Sequence, residues 1–167
     1  NETSNLDDTY LKQSPPNSNY STRGSIFCGW GDANHNENIP LIRFRELIPL
    51  TAGDTVVKAE LSLAVSQTEE YAKNPKYVGL YEVLKDWENS SVTWNNFNPN
   101  DTANISDVPI DCLIRTDSTR VAFDITNLYR SWYHKRDGAP HNFGVALRRP
   151  MLKSNTAWNY TQFYTRN

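Results

Sequence analysis

Apolar and polar residues alternate with period two along most of the chain. The clearest stretch is Val57, Ala59, Leu61, Leu63 and Val65, interleaved with Lys58, Glu60 and Ser62. Successive side chains of a strand point to opposite faces, so this spacing predicts a half-buried strand. Shorter runs of the same kind lie at residues 8–12, 25–30, 41–47, 76–84, 108–115 and 120–125. Phe143, Val145 and Leu147 alternate with Gly144, Ala146 and Arg148, and residues 157–166 form a last, aromatic-rich run. Turn chemistry separates these runs: a Pro/Asn/Ser stretch at 14–21, a polar stretch at 32–38, and 49–54, where Gly53 is the natural positive-φ residue. Residues 88–107 are rich in Asn and Ser and read as loop. One segment breaks the alternation. Leu128, Tyr129 and Trp132 have the spacing of a buried helical stripe, with Thr126 or Asn127 as cap and Gly138 and Pro140 as terminators.

About nine short strands and a single helix predict an all-β chain, an antiparallel β-sandwich of jelly-roll type with one short helix. Residues 1–7 read as an N-terminal tail and residues 8–167 as one domain, a length sufficient for a real core.

Composition narrows the class. At 38% hydrophobic and 12% aromatic residues the chain is no disordered segment. A net charge of −2 with intermixed signs provides no broad basic face, which argues against nucleic acid as partner. No run approaches the roughly 20 apolar residues of a membrane span. Asn1-Glu2-Thr3 lacks a basic-then-apolar signal pattern, so the chain reads as starting at a mature end or after a removed targeting segment. Six Asn-X-Ser/Thr sequons, at Asn1, Asn19, Asn89, Asn100, Asn104 and Asn159, exceed the roughly three expected by chance and favour an extracellular or cell-surface location. Cys28 and Cys112 fall in different predicted strands. They read either as two thiols acting as small apolar side chains or as one disulfide.

Three stretches carry a family resemblance. The first is Leu41-Ile42-Arg43-Phe44 with Ala52-Gly53-Asp54-Thr55-Val56 and Ala59-Glu60-Leu61-Ser62-Leu63. The second, and most specific, is residues 86–96, Asp-Trp-Glu-Asn-Ser-Ser-Val-Thr-Trp-Asn-Asn. The third is Ala122-Phe123-Asp124-Ile125-Thr126 leading to Trp132, then Asn142-Phe143-Gly144-Val145-Ala146-Leu147. Together they resemble the DNRLRE domain, a group close to the disaggregatase-related repeats of archaeal surface proteins and to a family of carbohydrate-binding modules. The resemblance implies a secreted jelly-roll module attached to surface proteins or to polysaccharide-degrading enzymes. Some relatives bind acidic polysaccharides such as alginate. The family continues past its last motif with a Pro-containing closing strand, which the run Phe163-Tyr164-Thr165-Arg166-Asn167 lacks. A sandwich without that strand would leave an open edge, which a neighbouring copy could fill by strand exchange, with the N-terminal tail as donor.

The candidate site residues follow. Trp87, Trp94 and Trp132 lie inside the motifs and read as core. Trp30, Trp158 and Tyr160 lie outside them and are the candidate sugar-stacking platforms. Arg43, Arg45 and Arg148 oppose inward-facing residues and form either a carboxylate-gripping cluster or surface ion pairs with Glu46, Glu60 or Asp124. Asp7 and Asp8, with Asp32 and Asp124, are the candidate ligands of a structural calcium ion, although Asp124 also has a simpler role beside the helix start. His35, His134 and His141 sit in no nucleophile motif, and Glu69-Glu70 reads as a surface loop pair, so no catalytic set emerges. The expected function is a non-catalytic extracellular module that binds a polysaccharide. The alternative is a structural sheath or filament subunit that assembles by strand donation.

Overall fold

The computed structural model describes residues 5–30, 36–70, 77–114, 119–133, 142–149 and 159–165. Nine strands and two short helices occur among them: β1 Leu6–Lys12, β2 Ser25–Trp30, β3 Glu37–Phe44, β4 Glu60–Glu70, β5 Tyr77–Val83, α1 Trp94–Phe97, β6 Ile105–Ile114, β7 Arg120–Asp124, α2 Thr126–Tyr133, β8 Val145–Arg148 and β9 Asn159–Tyr164. All pairings are antiparallel, in the order β6-β5-β8-β3-β2-β9-β4-β7, with β1 added on β3. The all-β antiparallel fold expected from the alternation is the fold observed.

The register shows how one path becomes two layers. Asn38 pairs both Lys12 of β1 and Gly29 of β2, while Leu41 pairs both Thr9 of β1 and Ala146 of β8. So β1 occupies one side of β3, and β2 and β8 share the other. One layer is β6-β5-β8-β3-β1 and the second is β7-β4-β9-β2, joined where β3 begins.

The first layer is buried on both faces. Its inner residues, Tyr10, Ile42, Leu80, Val145 and Leu147, pack with Phe123, Ile125, Trp132 and Phe163 in the inter-layer core. Its outer residues, Leu11, Ile39, Leu41, Val83 and Ala146, pack under Trp87, Val92, Trp94, Phe97 and Ile105. Residues 84–105 therefore form a cover on the outer face. Each fully buried large side chain in it contributes roughly 1.5–3 kcal/mol relative to exposure. Trp87, Trp94 and Trp132 are all buried, as their motif positions suggested.

The cover contains a helix where a loop is expected. Thr93 caps α1 by accepting from the Asn96 N–H, and Asn96 accepts from the Thr93 N–H, closing a capping box. Asn98 ends the turn in the left-handed region at φ 54°. A four-residue helix is too short to show a 3.6-residue period, so the alternation gave no sign of it. The Thr93-X-X-Asn96 spacing is its only local signature.

Other expectations shift by a few residues. Leu6 and Asp7 belong to β1 and not to a tail. β4 starts at Glu60, which leaves Val57 84% exposed, and runs on through Glu69 and Glu70, which are strand residues and not a loop pair. Gly53 adopts φ 100°, as its turn requires. β9 is no edge strand: β2 flanks one side and β4 the other. The residues nearest the N-terminus that are described pair with the chain's own β3. Trp158, Asp32, Asn1, the three histidines and the stop signals Gly138 and Pro140 lie outside the described residues.

Candidate functional site

Beside the cover, the C-terminal end of β3 borders an open groove of about 730 Å³. Alternation puts Arg43 and Arg45 on the outer face of the sheet with Asp7 of β1, because Asp7 is the cross-strand partner of Arg43. Arg43 donates from Nε and Nη2 to Asp7 Oδ2, at 3.3 and 2.9 Å, and from Nη1 to Asp86 Oδ1, at 2.8 Å. Its guanidinium also lies 4.8 Å from the Trp87 ring centre. Arg45 donates to the other oxygen of Asp7, 2.8 Å from Nε and 2.6 Å from Nη2. Burial pushes the Asp7 carboxyl up, but hydrogen bonds and charge from Arg45 and Arg43 outweigh it and hold the group below its ordinary value.

The far wall is brought in from distant parts of the chain. Asn142 donates to the Phe44 carbonyl at 2.7 Å and accepts the Gly144 N–H at 3.1 Å. Tyr133, on the last turn of α2, donates its hydroxyl proton to the Ile48 carbonyl. Burial raises the Tyr133 phenol to about 12, helped by the Tyr129 hydroxyl, so it stays protonated. Glu46, Glu88 and the half-buried Phe44 and Leu47 complete the lining, and Phe44 packs against Trp132 of the inter-layer core. A lining that mixes the apolar side chains of Phe44 and Leu47 with charged, phenol and amide groups can meet both the C–H faces and the hydroxyl perimeter of a sugar ring.

The other candidates fare differently. Tyr160 is buried against Phe27 (ring centres 5.5 Å apart), so it is a packing residue and not a stacking platform. Trp30 is half-buried at the end of β2, directly opposite Glu37. Arg148 pairs with Glu37 at 3.2 Å and with Asn100 Oδ1 at 3.0 Å. Glu37 and Arg43 are six positions apart on β3, about 20 Å, so Arg148 does not join Arg43 and Arg45 in a cluster. The partners expected from the sequence, Glu46, Glu60 and Asp124, are also replaced. Asp7, Asp86 and Glu37 hold these arginines, and Glu60 pairs with Lys58.

Asp7 and Asp8 project to opposite faces of β1, so they do not converge on one ion, and both oxygens of Asp7 already bind guanidiniums. Among the described residues no three His, Cys, Asp or Glu side chains gather as a metal site. Asp124 accepts the Thr126 N–H at 2.8 Å, the helix-start role expected of it.

Cys28 is a buried free thiol in β2 and Cys112 an exposed free thiol in β6, so the disulfide reading is replaced by two unpaired cysteines. Two sequon asparagines are internal ties. Asn19 donates to the carbonyls of Asn89 and Val92, and buried Asn104 donates to those of Phe97 and Asn98. Asn89 is half-buried, Asn100 is exposed, and the Asn159 side chain lies outside the described set.

Sequence reasoning missed Glu88, Tyr133 and Asn142. Glu88 and Asn142 stood inside quoted motifs, and Tyr133 stands one helical turn after Tyr129, so the signal was present but did not say which way they point.

A β-sandwich with an open, polar-rimmed groove has the form of a ligand-binding module. The chain belongs to carbohydrate-binding module family 96, whose model matches residues 1–160. That supports the carbohydrate-binding side of the motif resemblance; the match does not carry the DNRLRE designation. Modules of this class are generally non-catalytic. No curated protein matches the chain.

Proposed function

We propose that the protein is a non-catalytic extracellular module that docks a polysaccharide in the groove between Arg45, Glu88, Tyr133 and Asn142. The observation that carries the reading is membership of a carbohydrate-binding family over residues 1–160, in a fold whose groove of about 730 Å³ is lined by both apolar and hydrogen-bonding side chains. The sequon excess and exposed Asn100 support a secreted or cell-surface location. No helix among the described residues is long and apolar enough to cross a membrane.

Affinity electrophoresis through gels containing neutral or acidic polysaccharides tests the reading. At least one polymer is expected to retard the protein, and Arg45→Ala is expected to weaken that retardation. Arg45 is 59% exposed, so its removal should leave the fold intact. Free migration through every polymer would refute the function, and full retardation of Arg45→Ala would move the site elsewhere.

A further inference from the structure

We infer that Asp111 guards the seam between the edge strands of the two layers: by binding one outward-facing backbone N–H on each, it keeps a second copy of the chain from adding its own strand there. This stands independently of the polysaccharide-binding reading.

Among the described residues β6 pairs with β5 alone and β7 with β4 alone, so these two strands are the edges of their layers on one side of the sandwich. In an antiparallel pair, alternate residues turn their N–H groups toward the partner strand and the residues between turn theirs away. The Ile125 N–H donates to the Ala59 carbonyl beside β4 at 3.0 Å, so the Asp124 N–H points the other way. Asp111 Oδ2 accepts that N–H at 2.9 Å. Asp111 Oδ1 accepts the Cys112 N–H of its own strand at 2.8 Å. One carboxylate therefore fills a donor on each layer. Further features blunt β6. Ser106 Oγ takes the Val108 N–H at 3.1 Å, Pro109 has no N–H to offer, and the β5–β6 register shifts on both sides of Tyr81.

The strand is otherwise adhesive. Val108 is 67% exposed, Cys112 is exposed, and an open groove of about 670 Å³ beside Asp111 is lined by Val57, Ile110 and Asp124. A bare edge with exposed apolar side chains is a template for another strand. The matching strand is β6 of a second copy, because two identical edges related by a two-fold axis meet antiparallel.

Cross-linking of the full chain with a short bis-maleimide tests the inference, since Cys112 adjoins Asp111 and is exposed while Cys28 is buried. Sedimentation velocity reads association in parallel. Asp111→Ala is expected to raise the yield of Cys112-linked dimer about tenfold over wild type at equal concentration, the factor that roughly one net hydrogen bond supplies. Adding Val108→Lys should return the yield to the wild-type level, because a charge on an edge strand opposes pairing. A merely structural role of Asp111 would not predict that rescue. Should Asp111→Ala fail to fold, Asp111→Asn, which keeps the shape with one acceptor oxygen, should give a smaller gain in the same direction. Wild-type protein already linked through Cys112 to the same extent, folded variants without the gain, or a gain that Val108→Lys leaves in place would each overturn the inference.

Discussion

Asp7 and Arg43 face each other directly across β1 and β3, 2.9 Å apart, with the Trp87 ring stacked against the arginine. The pair joins three things that are distant in sequence: the edge strand β1, the central strand β3 and the cover that begins at Asp86. Asp86 completes the join by accepting both from Arg43 and from the Trp87 N–H, while the Trp87 indole donates to the Phe143 carbonyl at 2.8 Å. The arginine therefore stabilises a layer boundary before it serves any ligand.

Arg43→Met is expected to cost roughly 2–4 kcal/mol, because a largely buried charge pair loses one partner. Arg45→Met should cost under about 1 kcal/mol, since that side chain is mostly exposed. Urea midpoints compare the two, and hydrogen exchange should show residues 84–105 loosened in Arg43→Met alone. Equal costs would contradict the proposed division of labour.

Gly144 has φ 89°, and a Cβ placed there would stand 2.1 Å from the Ile42 carbonyl oxygen. The obstacle is backbone of a central strand, which cannot move aside. Gly144→Ala is therefore expected to destabilise by about 3 kcal/mol or more. Thermal denaturation checks this. Gly53→Ala, which meets only the strain of its own φ and no neighbouring atom, should cost much less.

The depressed Asp7 carboxyl makes stability pH-dependent with a definite sign. Its folded value lies below the unfolded value of 3.8, so the unfolded chain takes up the proton first. The contribution is fully present at neutral pH, begins to fade as pH falls toward 3.8, and is gone below the folded value. Asp7→Asn should flatten the acid limb of a stability-versus-pH curve between pH 4 and lower values, and leave the slope above about pH 5 unchanged.

The two cysteines should react at very different rates. Burial pushes the Cys28 thiol up to about 12, against a smaller opposing effect of Arg149. An aromatic disulfide reagent should label one thiol, Cys112, in the native protein and two in denaturant. Two unreactive cysteines in the native, unreduced protein, released by reductant, would instead establish the disulfide.

Expression in a glycosylating secretory host should leave Asn19 and Asn104 unmodified in folded protein, because their amide donors are bound to carbonyls inside the structure. Asn100 should accept a glycan, since it is exposed at the cover's edge. Peptide mapping by mass spectrometry after deglycosylation reads each site separately.

The alternation and turn signals predicted that this chain is built of short antiparallel strands, and they put Ile42, Leu61 and Val145 on the apolar sides of their strands. The alternation did so because a strand's side-chain period is fixed by backbone geometry, whatever the strand packs against. It determined also that Arg43 and Arg45 leave β3 on the face opposite Ile42. Only the tertiary structure decided what meets them there. The partners of Arg43 lie 36 and 43 residues away, and the outer face that alternation would assign to water is roofed by residues 84–105. Register across strands and the docking of a cover depend on contacts between remote segments, which no local period encodes. For that reason Asp7 read as a metal ligand in sequence and stands in the structure as the counter-charge of the groove.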